Sequence, residues 1–465
     1  MPMKDVVRLR QLLGLLLVTL LLAFASTPGF RQTVNLPTEL RWTEGEVPAA
    51  VTNLPLRPVA RPQGARAPWT AALPGQVGRY TLDLRLFGLI PLRRMAVEVV
   101  PTVKVIPGGH SIGVMLRSKG VLVVGHMTVR TADGELQPGR TAGLELGDAI
   151  LTIAGQEVRS EVHAKELLET LGKGGGPVTL EVKRRGRILT KELRLAREEG
   201  SQKWRAGLQL RDNAAGVGTL TFYEPVSGKY GALGHVIADA ETAQPIEVRD
   251  GHIVRTSITA IHKGRRAMPG EKVGGPEEPD NWLGSIDKNS RFGIFGSMNR
   301  PLRNPFYREA IPVAMSSQVK EGPAEILTVL QGERLERFGV EIQRVMSTPT
   351  ADGKNMIVKV TDQRLLSVTG GIVQGMSGSP ILQDGRIVGA VTHVFVNDPT
   401  RGYGVSIEWM LQEAGVYAKQ GAGLSTGGPA PFAVYHRAVP SQEMQVVRRP
   451  CTIPITCGAP GVAAA

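Results

Sequence analysis

The sequence predicts a mainly β protein. Glycine and proline are frequent, at 56 and 32 of 465 residues, whereas aromatic residues make up only 5%. This balance favours many short strands joined by turns over long helices. Helical periodicity is nearly absent from residue 197 until residue 407. That stretch is therefore predicted to be all β and is long enough for a double barrel.

Composition and charge narrow the class of protein. The hydrophobic fraction of 42% and the charged fraction of 21% are those of a globular chain, and the length suggests two to four domains. The formal net charge is +13. The basic residues are scattered in groups of three or four with no aromatic residues between them, which does not fit a nucleic-acid interface. No nucleic-acid partner is expected.

The first 30 residues have the pattern of a targeting segment. Lys4, Arg8 and Arg10 precede an apolar run over residues 12–25. Fourteen residues are few for a spanning helix but suit the apolar region of a secretory signal, with residues 23–25 (Ala-Phe-Ala) as a cleavage site. An uncleaved membrane anchor is the alternative. In both cases the basic side stays in the cytoplasm, and the chain after about residue 30 lies outside.

Residues 31–106 are predicted to be a linker followed by a small β region. The part up to residue 75 is rich in proline and polar residues and contains at most one strand, whereas residues 80–86 and 97–105 have strand patterns. At the other end, residues 418–465 have the composition of a flexible, disordered tail. Cys451 and Cys457 both lie there, so the body has no disulfide framework and no thiolate metal site.

Residues 107–197 resemble a PDZ domain of the bacterial protease type. The resemblance rests on residues 142–150 (Ala-Gly-Leu-Glu-Leu-Gly-Asp-Ala-Ile), followed by a helix at about 162–171 and strands at 178–182 and 188–195. A PDZ domain binds an extended chain or a C-terminus as an added strand. By this resemblance, the loop of Ser111, Ile112, Gly113 and Val114 binds the peptide through its backbone N–H groups. A covered or unused groove is the alternative.

Residues 375–380 (Gly-Met-Ser-Gly-Ser-Pro) carry the strongest chemical signal. Peptide hydrolysis by serine needs an exposed hydroxyl in a tight turn, with backbone N–H groups aimed at the developing oxyanion. The turn resembles the one around the nucleophile of trypsin-like proteases. Ser377 is then the nucleophile, the N–H groups of Gly375 and Ser377 form the oxyanion hole, and residues 198–417 form the peptidase domain.

His235 is the best candidate for the general base. It lies among small residues and precedes Ser377, in the order that trypsin-like enzymes use. His126 and His163 fall within the PDZ-like region. His393 is close to Ser377 in the chain, but lies on the strand predicted to line the specificity pocket and is expected to shape substrate preference.

The acid that orients the imidazole is left open by the residues alone. Asp362 ends an apolar strand before the serine turn, and Asp239 and Asp250 are alternatives. The expected acyl-transfer chemistry needs no metal and no cofactor.

The chain resembles the SpoIVB peptidase family over about residues 30–416. The matching segments are residues 86–92 (LFGLIPL), 107–114 (PGGHSIGV), 234–235 (GH), 269–274 (PGEKVG), 292–296 (FGIFG), 360–362 (VTD), 370–380 (GGIVQGMSGSP) and 392–399 (THVFVNDP). The tail after about residue 417 departs from the family pattern.

This resemblance implies a catalytic triad of His235, Asp362 and Ser377. It further implies secretion into the space between forespore and mother-cell membranes. There the enzyme would cut itself and a membrane-bound regulator of an intramembrane protease, which triggers sigma-factor maturation. Its PDZ domain would hold its own N-terminal segment or its target. An adaptor with an inactive protease-like domain and a general envelope quality-control protease are the alternatives.

Overall fold

The computed structural model describes residues 38–52, 57–64, 68–86, 89–276, 282–346, 350 and 353–417, with isolated positions between 12 and 27. The predicted signal or anchor segment lies outside the described residues apart from those positions, and so does the tail that carries both cysteines. Within the described part of the chain, no helix is long and apolar enough to cross a membrane.

A four-stranded sheet precedes the main body. Its elements are β1 (Glu39–Thr43), α1 (Ala49–Thr52), β2 (Arg57–Pro62), β3 (Gly78–Leu86) and β4 (Ile90–Val100). The strand order is β1-β4-β3-β2. Alternation in β3 buries Leu82 and Leu84 completely. The sequence predicted at most one strand before residue 75, whereas the structure has two. Strand β1 pairs in parallel with β4, which follows about 50 residues later, and local periodicity does not reveal such a pairing.

A fourteen-stranded sheet forms the centre of the molecule. The elements of this region are β5 (Lys104–Pro107), β6 (Ser111–His126), β7 (Val129–Thr131), β8 (Gly134–Leu136), α2 (Pro138–Thr141), β9 (Ala149–Ile153), β10 (Gln156–Glu157), α3 (Glu161–Gly172), β11 (Val178–Arg184), β12 (Arg187–Leu193), β13 (Ala196–Arg197), β14 (Trp204–Arg205), β15 (Leu208–Tyr223), β16 (Lys229–Ala232), β17 (Val248–His262), β18 (Glu271–Pro276), β19 (Trp282–Ser285), β20 (Lys288–Ser290), β21 (Gly293–Ser297) and β22 (Ile311–Pro312). The small pairs β7–β8 and β13–β14 lie outside this sheet. Strands β6 and β15, of 16 residues each, run antiparallel to one another along the sheet.

The helix and strands expected within residues 161–195 are present. Helix α3 begins after Ser160, whose side chain accepts a hydrogen bond from the N–H of His163. Strands β11 and β12 follow as a hairpin. The assignment of residues 107–197 to a PDZ domain, and of 198–417 to a separate peptidase domain, stays a prediction. Strand β6 of the first range pairs along its length with β15 of the second, and Thr219 of β15 binds the serine turn.

The segment expected to be a peptide-binding loop, Ser111 to Val114, is part of β6. These residues pair with β15 on one side, and Ile112 to Val114 pair with β17 on the other. Their backbone groups are engaged in the sheet, so this segment offers no free edge for an added peptide. Further along β6, residues 123–126 pair with residues 208–210 of β15. Trp204, just before β15, packs against Gly172 of α3. Strand β15 thus pairs with β6 and also contacts α3.

A closed six-stranded barrel completes the described structure, in the order β23-β24-β25-β28-β27-β26. Its elements are a 3-10 turn (Ser316–Gln318), β23 (Gly322–Val329), β24 (Leu335–Val345), β25 (Met356–Val360), α4 (Gln363–Thr369), β26 (Pro380–Gln383), β27 (Arg386–Phe395), β28 (Asp398–Ser406) and α5 (Ile407–Glu413). The mainly β class is confirmed, as one closed barrel beside a half-barrel sheet.

Candidate active site

The turn around Ser377 connects α4 to the barrel strand β26. Helix α4 ends at Gly370, which has a left-handed backbone with φ of 75°. Two threonine side chains of β15 hold the turn in place. The Thr219 hydroxyl donates to the Gly375 carbonyl at 2.7 Å, and the Thr221 hydroxyl donates to the Gly378 carbonyl at 2.8 Å. The Thr219 N–H also donates to the Ser377 carbonyl at 3.0 Å. The half-barrel sheet thereby fixes the main chain on both sides of Ser377.

Glycine is required at position 378 for two reasons. Its φ is +96°, in a region that side-chain-bearing residues rarely adopt. A Cβ on Gly378 would also lie 2.0 Å from the carbonyl oxygen of Thr219 and 2.5 Å from the nitrogen of Leu233. The backbone of the turn therefore packs directly against the backbone of β15 and of the loop after β16.

The Ser377 hydroxyl donates a hydrogen bond to the Thr392 carbonyl of β27, with an oxygen–oxygen distance of 2.6 Å. The side chain is partly buried. Within the described part of the chain, the N–H groups of Gly375 and Ser377 have no hydrogen-bond acceptor. Two uncommitted N–H groups on either side of Met376 are what an oxyanion hole requires.

His235 follows β16 and is held in one tautomer. Its Nδ1 lies 2.9 Å from the Val236 carbonyl oxygen. A carbonyl only accepts, so Nδ1 carries the proton and Nε2 keeps its lone pair. Burial lowers the pKa of His235, and the charge of Lys354 lowers it further, against the opposing effect of the Val236 hydrogen bond. The ring is thus neutral at pH 7, and Nε2 has no hydrogen-bond partner in the described parts of the chain, as a general base requires.

The loops that carry His235 and Ser377 are in direct contact. Gly378 lies against Leu233, and a Cβ on Gly234 would lie 3.4 Å from the Thr392 Cβ. Ser377 and Gly234, the residue before His235, therefore both border Thr392, whose carbonyl accepts the Ser377 hydrogen bond in this conformation. The His235 ring lies with its centroid 5.0 Å from that of His393. The structure shows no hydrogen bond between Ser377 and His235, so proton transfer requires the Ser377 side chain to rotate away from Thr392.

The three candidate carboxylates lie elsewhere among the described residues. Asp362 is the N-cap of α4 and accepts from the Leu365 N–H at 2.9 Å. Asp239 accepts from the backbone and hydroxyl of Thr242 and pairs with Arg211 at 3.2 Å.

Asp250 forms ion pairs with Arg117 and Arg249. The structure brings none of the three into hydrogen-bonding contact with the His235 ring. The Val236 carbonyl occupies the Nδ1 position where an orienting acid would act.

One buried side chain beside the turn, that of Lys272, was not predicted from the sequence. Lys272 of β18 is 5% exposed, and its side chain lies against Gly375. The Pro-Gly-Glu-Lys-Val-Gly segment that contains it was the available signal. Within the described residues, no cluster of three or more His, Cys, Asp or Glu side chains could hold a metal ion.

Residues 202–411 match the family model described as SpoIVB peptidase S55. The match covers 210 of the 465 residues. It begins just before β14 and ends within α5, so it includes both strand β15, which holds the serine turn, and the closed barrel. This match identifies the chain as a serine peptidase.

Among solved structures, this chain is similar to two forms of one bacterial enzyme. The active form of the Rv3671c protease from M. tuberculosis is 13% identical, with 46% of this chain and 78% of that chain covered and a TM-score of 0.25. The inactive form is 13% identical, with coverages of 43% and 84% and a TM-score of 0.24. Scores this low support no argument about mechanism. No curated protein matches the chain.

Proposed function

We propose that this serine peptidase is an endopeptidase in which Ser377 is the nucleophile and His235 the general base. The observation that carries the proposal is the contact between the two loops. Ser377 and Gly234, which precedes His235, both border Thr392. The imidazole has its Nδ1 proton committed to the Val236 carbonyl, and among the described residues its Nε2 has no hydrogen-bond partner. A neutral imidazole beside a serine hydroxyl is the minimal unit for acyl transfer.

The reaction begins when the Ser377 hydroxyl leaves the Thr392 carbonyl and turns toward His235. Its oxygen attacks the scissile carbonyl carbon as Nε2 takes the proton, and the N–H groups of Gly375 and Ser377 stabilise the oxyanion. The carbon–nitrogen bond then breaks, and the departing amine takes the proton from Nε2. Water repeats the sequence on the acyl-enzyme and restores the free hydroxyl.

Asp362 is proposed as the third member of the site on the strength of the family pattern alone. Its Oδ1 accepts from the Leu365 N–H, and the structure shows no hydrogen bond between Asp362 and the imidazole. Replacing Asp362 by Asn separates the two roles, since asparagine caps a helix as well as aspartate does but cannot stabilise an imidazolium. A loss of orders of magnitude in rate at unchanged stability supports the catalytic role, and normal activity assigns the acid role elsewhere.

We further propose that the enzyme acts outside the cytoplasmic membrane in sporulation signalling. It would cleave its own N-terminal region and a membrane-bound regulator of an intramembrane protease. The match to the SpoIVB peptidase family supports the signalling role, and the basic and apolar pattern of residues 4–25 supports export. Because β15 pairs with β6 and also contacts α3, a peptide partner that adds to β6 in the PDZ-like region must displace that strand or bind elsewhere.

The test compares the purified full-length chain with the Ser377→Ala variant. We expect wild type to trim itself near its N-terminus, as seen by intact-mass measurement, and the variant to stay whole. Ser367→Ala is the matched control, because Ser367 is an exposed serine on α4. Equal trimming in wild type and Ser377→Ala would remove the enzyme assignment.

The same preparations discriminate the alternative functions. An adaptor with an inactive protease-like domain leaves wild type whole and peptide substrates uncut. A general quality-control protease degrades casein at many sites without preference. A signalling endopeptidase instead cuts few bonds, and its own N-terminal region is among them.

A further inference from the structure

Lys272 is a buried lysine beside the serine turn with an unusual set of partners. It is 5% exposed, and its Nζ donates to the Thr328 hydroxyl of β23 at 2.7 Å. Thr328 is itself fully buried. A lysine amine carries up to three N–H donors, and this hydroxyl is the partner that the structure gives it within the described residues. No carboxylate of the described ranges pairs with it.

The main chain of Lys272 is attached to the segment that leads into the turn. Its N–H donates to the Gln374 carbonyl at 2.9 Å, and the Gln374 N–H donates to the Gly270 carbonyl at 2.8 Å. Gly375 follows immediately. Its position is therefore set by a short parallel pairing with the start of β18.

The side-chain stem of Lys272 forms the floor under Gly375. A Cβ on Gly375 would lie 3.1 to 3.4 Å from Cβ, Cδ and Cγ of Lys272. On its other side, the Gly375 carbonyl accepts from the Thr219 hydroxyl. Gly375 is thus held between a β15 hydroxyl and the Lys272 stem, and its N–H remains without an acceptor in the described structure.

The buried position of the Lys272 amine destabilises the folded chain when the amine is charged. Burial lowers the pKa of Lys272 to about 7. A methionine would fill the same space without this penalty. What the amine adds is a directional bond to Thr328, on a strand that pairs with β26 directly after the serine turn. The bond ties the floor under Gly375 to the barrel that carries Ser377.

We propose that Lys272 is a positioning residue for the oxyanion hole of this peptidase. It fixes Gly375 through its main chain and stem, and it fixes that stem to β23 through the Nζ–Thr328 hydrogen bond. The inference rests on the proposed role of Ser377 and Gly375. A loosened floor lets the Gly375 N–H drift from the developing oxyanion, which weakens transition-state binding while substrate binding is retained.

Steady-state cleavage of a peptide spanning the self-cleavage site tests this inference. We expect Lys272→Met to lower kcat about 10- to 100-fold, the loss typical of misplacing a catalytic group by about 1 Å. KM should stay within about threefold. Thr328→Val, which removes the acceptor with little change in shape, should lower kcat in the same direction.

The double variant separates a shared bond from two independent effects. If Lys272 and Thr328 act through one hydrogen bond, the double variant is no slower than Lys272→Met. Lys320→Met is the matched control, because Lys320 is an exposed lysine paired with Asp384. It should leave kcat and KM unchanged.

Wild-type kcat in Lys272→Met, or a rise in KM with kcat unchanged, would overturn the inference. If Lys272→Met does not fold, Thr328→Val decides in the same way. Ser377→Ala serves as the blank. Cleavage by that variant at the wild-type rate would refute the proposed function and this inference with it, whereas a silent blank beside a fully active Lys272→Met would refute the inference alone.

Discussion

Lys272 also makes a quantitative prediction about stability and pH. Its pKa falls from an ordinary 10.5 to about 7 in the folded chain, because burial disfavours the charged amine. Between these values the unfolded chain binds one more proton than the folded chain, so stability rises with pH at about 1.4 kcal/mol per pH unit. The folded chain is therefore most stable above pH 10.5, where the amine is neutral in both states. This stability is lost as the pH falls to about 7. Across the whole window the difference is about 5 kcal/mol.

Urea denaturation of wild type and Lys272→Met at pH 7.5 and 9.0 measures this contribution. Methionine has no titrating group, and the remaining groups titrate alike in both proteins and cancel in the difference. The unfolding free energy of wild type should rise relative to that of Lys272→Met by about 2 kcal/mol between the two pH values. A constant difference between the two proteins would show that the amine titrates normally, and would refute the reasoning from burial.

Three further outcomes follow from the same site. The acid limb of kcat/KM should have its midpoint below pH 6.5, because burial lowers the pKa of His235 and the base must be neutral; a midpoint at or above 6.5 in a pH–rate profile would contradict this. Gly378→Ala should lower the unfolding free energy by about 3 kcal/mol or more, since its Cβ meets the Thr219 carbonyl in a strained backbone region; an unchanged urea midpoint argues against the close approach. Asp362→Ala should lower the unfolding free energy by about 1 kcal/mol and Asp362→Asn by only a few tenths, because asparagine preserves the α4 cap. Equal losses of stability in thermal melting would mean that Asp362 does not act as the helix cap.

The residue types of the site could be predicted from sequence because they form local patterns. A glycine-rich turn around Ser377 and a histidine among small residues are each visible in a short window. The supports of the turn are not visible in this way. Thr219 and Thr221 lie 156 and 157 residues from the carbonyls they bind, and nothing in their neighbourhood marks them as partners of that turn.

The same distinction holds for the fold. The mainly β class follows from composition, and helix α3 follows from its own periodicity. The pairing of β6 with β15 and β17 does not, because register between distant strands depends on the whole sheet. This is why the segment 111–114, predicted to be an open peptide-binding loop, lies inside a paired strand.

Covalent labelling with a fluorophosphonate tests directly whether Ser377 is a nucleophile activated by His235, since that reagent requires a nucleophilic serine. We expect peptide mass spectrometry to find one phosphonyl adduct, on Ser377. The adduct should form far more slowly in a His235→Gln variant. Labelling of another serine, or labelling of Ser377 at the same rate when His235 is replaced, would contradict it.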